Sequence, residues 1–196
     1  KTANYGLHLD ENRVPEISIH VEFPLKGSDY GALGYIVGKL AGSKVPVFHL
    51  KTTPDVDELK ALGAAMAASG AVALYHVEGV TPEIRRLNFE DPEEKITIER
   101  KQLDEVYETL NKATREPELI TIGCPHCSAT ELEKIAKLLK GKTVSKELWI
   151  FTSRELVKRY PEYIKTIEKS GAKVVCDTCM VVSPATNRYS CVMVNS

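Results

Sequence analysis

Five cysteines punctuate the chain, and four of them form two Cys-x-x-Cys pairs, Cys124/Cys127 and Cys176/Cys179. A thiolate in such a pair is a nucleophile, a redox partner or a metal ligand. The first pair lies in Gly123-Cys124-Pro125-His126-Cys127, directly after the strand-like run Glu118-Leu119-Ile120-Thr121-Ile122. Ser128-Ala129-Thr130-Glu131 follows and reads as a capping box, with Ser128 as N-cap. Cys124 is thereby placed beside a helix N-terminus, where free amides and the helix dipole favour a thiolate. His126 has two roles open to it, a bond to a backbone carbonyl or a contact to substrate. The second pair closes the strand-like run 172–176, with Asp177-Thr178-Cys179-Met180 at its end. Cys176 and Cys191 occupy strand positions and read as core, whereas Cys179, past the strand end, is the better ligand.

Two cysteine loops at one end of a parallel sheet point to a shared site. Four thiolates make a structural zinc centre. Three hold an iron–sulfur cluster with one open iron. The long separation between the pairs makes zinc the weaker reading. Cys124-Pro125-His126-Cys127 also matches a thiol–disulfide exchange motif, so a thioredoxin-like oxidoreductase is a rival. Against it, Thr121-Ile122-Gly123 stands where such enzymes place an aromatic residue, and the second pair is left without a purpose.

The elements that must position these residues follow from hydrophobic periodicity. Strands are predicted at 17–23, 45–50, 71–77, 119–122, 148–151, 174–176 and 189–194. Helices are predicted at 30–40, 56–69, 81–87, 100–112, 129–140 and 154–169, the last split by Pro161. This alternation specifies an α/β fold with mostly parallel sheets flanked by helices. The acidic stretch 88–95 reads as a linker between a first lobe, residues 1–92, and a second, 93–196, which carries both cysteine loops. No sequence repeat is visible. His8, His20, His49 and His76 fall at strand edges and read as structural, and Glu83 reads as a helix-start residue.

Twenty-six basic residues against 27 acidic ones leave a net charge of −1, which excludes the basic excess of a nucleic-acid binder. No apolar run reaches the roughly 20 residues of a membrane span. The cysteine usage is that of a reducing, cytoplasmic compartment. The first residue is Lys1 rather than Met, and the end follows a strand-like run. A piece of a longer protein is the expectation.

Several motifs occur together in order: residues 5–13 (Tyr5-Gly6-Leu7-His8-Leu9-Asp10-Glu11-Asn12-Arg13), Asp29-Tyr30-Gly31-Ala32-Leu33-Gly34-Tyr35, Lys60-Ala61-Leu62-Gly63-Ala64 and residues 71–83. Gly123-Cys124-Pro125-His126-Cys127-Ser128 and Asp177-Thr178-Cys179-Met180 are the most specific, and Asn195-Ser196 looks like the start of another. Through these the chain resembles the C-terminal part of the catalytic (large) subunit of the aconitase X family, of the archaeal two-subunit type. The resemblance implies two aconitase-like α/β lobes and a hydro-lyase with a 4Fe-4S iron–sulfur cluster on three cysteines. Cys124 and Cys179 correspond to two of them, and the third lies outside this chain. It implies a heterodimer with a small swivel-domain subunit that supplies a Ser base, and no nucleic-acid or membrane partner. Archaeal members dehydrate mevalonate 5-phosphate, a small phosphorylated hydroxy acid, to its trans-anhydro product in isoprenoid synthesis. Bacterial and eukaryotic relatives dehydrate cis-3-hydroxy-L-proline. Within that frame His126 is the candidate catalytic residue, and Arg13, Ser128, Asn195 and Ser196 are candidate substrate contacts. Arg13 equally suits a salt bridge. The isolated piece is expected to be inactive.

Overall fold

The structure is a computed structural model that describes residues 6–87, 89–112 and 115–195. It divides into two compact units, Lys1–Lys112 and Ala113–Ser196.

The first unit runs β1 (Ile17–Val21), α1 (Asp29–Ala41), β2 (Pro46–Leu50), α2 (Val56–Ser69), β3 (His76–Val77), β4 (Lys95–Ile98) and α3 (Arg100–Leu110). The strands form one all-parallel sheet in the order β3-β2-β1-β4. Strand alternation sorts β1 onto two faces. Ile17, Ile19 and Val21 are fully buried in a core shared with Leu33 and Val37 of α1, Leu62 and Met66 of α2, and Leu103 of α3. Ser18 and His20 lie on the opposite face and bond each other at 2.9 Å. The start of α2 is set by a capping box in which Asp55 accepts from the Glu58 amide.

The second unit runs β5 (Leu119–Cys127), α4 (Ala129–Leu139), β6 (Glu147–Thr152), α5 (Arg154–Arg159), α6 (Pro161–Lys169), β7 (Lys173–Cys176) and β8 (Val192–Val194). Its sheet is again all parallel, in the order β7-β6-β5-β8. The two units therefore share one topology. Two strand–helix–strand crossovers lead outward, and a return segment brings the last strand back beside the first. This repeat leaves no trace in the sequence, because topology constrains periodicity and not residue identity.

The parallel α/β architecture is as expected, and Pro161 does split the predicted 154–169 helix. Five local readings are corrected. Residues 88–95 are not a linker, since Lys95 opens β4, which pairs with β1, and Asp91 bonds His49. For the same reason the first unit continues past residue 92 to Lys112. The 81–87 helix is only a 3-10 turn at Pro82–Arg85, and the 71–77 strand pairs only at His76–Val77. Finally, Gly123–Cys127 is the irregular end of β5 rather than a free turn. Register with β6 shifts after Ile122, the Cys124–Pro125 peptide is cis, and Cys127 pairs with Thr152.

Helices α1 and α2 meet through glycine. A Cβ on Gly34 would sit 2.5 Å from the Leu62 carbonyl oxygen and 2.8 Å from Ala65 Cβ. Gly34→Ala is expected to destabilise by about 1–3 kcal/mol through overpacking, more than the roughly 1 kcal/mol it gains in helix propensity. Gly31→Ala, on the same helix with nothing within 4 Å, should instead stabilise. Urea-unfolding midpoints that move in opposite directions confirm this packing, and midpoints that move together contradict it.

Candidate metal centre at the two cysteine loops

Both cysteine loops are fastened to the end of β6. The fully buried Thr152 donates its hydroxyl to the Cys127 carbonyl at 2.7 Å, and its own carbonyl accepts from the Asp177 amide at 3.0 Å. Gly123 has φ +111, and a Cβ there would lie 2.3 Å from the Phe151 carbonyl oxygen. Only glycine lets the first loop lie this close to β6. Asn195 Oδ1 accepts from the Gly123 amide at 3.2 Å, so the residue after β8 also holds this loop. Asp177, in the left-handed region at φ +58, caps α5 by accepting from the Arg154 amide at 2.9 Å. His126 Nε2 donates to the Thr178 carbonyl at 2.8 Å, which ties the first loop to the second.

The outcome is that Cys124 and Cys179 meet. Their side chains lie close enough to perturb each other, and both pack on Leu119, Trp149, Phe151 and Met180. Burial, reinforced by Cys179 alongside, pushes the Cys124 thiol up. Cys179 titrates below the usual thiol range. Burial works against this, but the Val182 and Val181 amides and the Cys124 thiol bond its sulfur and prevail. The thiolate of this pair is therefore favoured at Cys179, not at Cys124 as the helix N-terminus suggested. The capping box of α4 engages the Ser128 and Glu131 amides. Cys124 also belongs to the core opposite the one containing α4.

Cys127 is buried among Leu132, Ala136 and Ile150, in the helix-side core. The Cys-x-x-Cys pair is thus split across the two faces of β5, which removes the geometric basis for a thioredoxin-like exchange pair. Cys176 ends β7, and burial raises its thiol, with the Asp177 charge adding to this. Cys191 is not core. It is half-buried, and its thiol faces the Arg115 carbonyl at 3.8 Å.

The remaining candidates are distributed as follows. Ser128 caps α4, its hydroxyl accepting from the Glu131 amide at 3.1 Å. Arg13, in the first unit, pairs with Glu83 at 2.7 Å and donates to the Leu7 carbonyl at 2.8 Å. This is the salt-bridge alternative, and Glu83 also stands in the first turn of the 3-10 helix Pro82–Arg85. Ser196 lies outside the described residues, as does Tyr5. Thr152 was missed, although a polar residue closing the apolar run Leu148-Trp149-Ile150-Phe151 was a usable signal. The Val181 and Val182 amides carry no side-chain signal at all.

Two all-parallel α/β units, one of which closes a pair of thiols at the ends of its strands, define the class of protein. Comparison with known proteins narrows it. The aconitase X second-domain model matches residues 15–108, and the aconitase X third-domain model matches 117–196. The chain belongs to the aconitase X family. It is 77% identical, over its whole length and 48% of the relative's, to the phosphomevalonate dehydratase large subunit of Methanosarcina mazei. A cis-3-hydroxy-L-proline dehydratase of Pseudomonas aeruginosa is 34% identical over 89% of this chain and 32% of its own. The crystal structure of Thermococcus kodakaraensis aconitase X in its holo-form superposes with a TM-score of 0.89 at 41% identity. That match covers 98% of this chain and 51% of the other. The chain thus spans about half the length of the Methanosarcina relative.

Behind the cysteines, Trp149 is held by a charged clamp. Glu147 accepts from Lys173 at 2.6 Å, Tyr189 at 2.6 Å and Trp149 Nε1 at 2.9 Å. Those bonds, Lys173 first, hold its carboxyl down at about 2 from an ordinary 4.5. A depressed carboxyl stabilises the fold above its unfolded value, and that stability is lost as pH falls toward the folded one. Acid unfolding should therefore steepen between those two values, and Glu147→Gln should flatten it. Identical acid profiles for the two proteins contradict the clamp.

Proposed function

We propose that this chain forms part of an iron–sulfur dehydratase and supplies two of the cluster's three cysteine ligands, Cys124 and Cys179. The observation that carries this is the meeting of these two thiols. The fold brings together sulfurs from two separate loops, and two backbone amides bond one of them. Such a donor set suits a thiolate-bound cluster, whose sulfurs take hydrogen bonds from the protein. The third ligand lies outside this chain, in the remaining part of a subunit about twice its length. When bound, the cluster supplies a Lewis-acidic iron that carries away a substrate hydroxyl.

The chain's own residues set the floor of that site. His126 acts as a positioning residue, because its Nε2 is spent on the loop that carries Cys179. Asn195 steadies the amide beside Cys124. Arg13 is engaged by Glu83 and Ser128 by α4, so both serve the scaffold. The base is a Ser on the small partner subunit that the name "large subunit" of the relatives calls for. The substrate is mevalonate 5-phosphate, dehydrated to its trans-anhydro product. The support for this is the higher identity to the phosphomevalonate dehydratases than to the cis-3-hydroxy-L-proline enzyme, the second reading.

The test uses the full-length large subunit, purified without oxygen and mixed with its small subunit. It should be brown from sulfur-to-iron charge transfer and eliminate water from mevalonate 5-phosphate, and Cys124→Ala should lose both properties. A colourless protein with stoichiometric zinc contradicts the assignment.

A further inference from the structure

On the helix-free face of the first sheet, β1 and β2 place His20 and His49 in register, and their rings stack at 4.5 Å. The return segment before β4 brings Asp91 onto them, and Glu78 follows β3 on the other side. Ligand atoms of His20, His49 and Asp91 lie within 4.8 Å of one another. The side chains of His49 and Asp91 are about a quarter and a third exposed, so solvent ions reach them.

The proton inventory of this cluster closes only with a cation at His49, either a second ring proton or a metal ion. Carboxylates only accept, and a neutral imidazole has one N–H. His49 faces two carboxylates, Glu78 Oε2 at 2.6 Å from Nδ1 and Asp91 Oδ1 at 3.2 Å from Nε2. With its one proton on the shorter contact, a neutral His49 turns its Nε2 lone pair toward a carboxylate oxygen, a repulsion that a metal ion at Nε2 relieves. Ser18 Oγ lies 2.9 Å from His20 Nε2, and with the ring proton on Nε2 a neutral His20 keeps its lone pair on Nδ1. Lys95 bonds the other Asp91 oxygen, Oδ2, at 2.5 Å and fixes Oδ1 toward His49. One ligand atom from each of the two imidazoles and the carboxylate thus shares one small space. A carboxylate on the far nitrogen of a ligating histidine is the usual outer support of a metal site.

We infer that His20, His49 and Asp91 form a second metal site, separate from the cysteine loops. It takes a divalent first-row transition ion, with Glu78 orienting His49. Two imidazoles and one carboxylate are the donors such ions prefer over magnesium or calcium. Binding there would pin the return segment to the sheet, much as Cys179 is brought to Cys124 in the second unit.

The test is a calorimetric Zn2+ titration of the chelator-stripped chain carrying Cys124→Ser and Cys179→Ser, which removes the paired thiols. One equivalent should bind, and adding His49→Gln or Asp91→Asn should abolish binding. Glu78→Gln should weaken it by about tenfold or more. Asp91 lies outside the strands, so Asp91→Asn keeps the test meaningful if His49→Gln fails to fold. Imidazole 15N spectra should show the zinc on His49 Nε2 and on His20. A titration unchanged by these substitutions, zinc confined to other residues, or a His49 that is doubly protonated and takes no metal would overturn the site.

Discussion

The end of β6 is the point on which the cysteine site depends. Phe151 and Thr152 are both fully buried, and each offers backbone or hydroxyl groups to the loops on either side. Gly123 lies against the Phe151 carbonyl, Thr152 bonds the Cys127 carbonyl, and the Asp177 amide returns to the Thr152 carbonyl. These contacts satisfy backbone groups that would otherwise be buried without partners, which is a costly state. The cysteine positions follow from this backbone arrangement. It turns Cys124 to one face of β5 and Cys127 to the other.

The same architecture appears twice. In each unit the helices cover one face of a parallel sheet, and a segment returning to the far edge delivers functional groups to the other. In the second unit that segment delivers Cys179, and in the first it delivers Asp91. The placement accords with the tendency of parallel sheets to gather chemistry near the carboxyl ends of their strands. It also explains how the short edge strands β4 and β8 matter to the fold. Each one anchors the end of a return segment.

Much of this was legible in the sequence. The α2 helix, the capping box at Ser128 and the break at Pro161 were all readable from local chemistry. What escaped depended on tertiary contacts. Lys95-Ile96-Thr97-Ile98 is too short and too close to acidic residues to stand out as a strand, and missing it put the unit boundary too early. The loop placement of Gly123–Cys127 hid the opposite orientations of its two cysteines. The capping box was read correctly, but not that Cys124 packs on the face of β5 opposite the helix it caps. His20 and His49 looked like isolated strand-edge residues because their partners come from elsewhere in the chain.

The central claim is that the functional thiol pair is Cys124 with Cys179, and not the sequence neighbours Cys124 and Cys127. Mild oxidation of the metal-free chain, followed by non-reducing peptide mapping, tests it directly. The account predicts a disulfide linking the Cys124 and Cys179 peptides, with Cys127 recovered as a free thiol. A Cys124–Cys127 disulfide as the dominant product would contradict it.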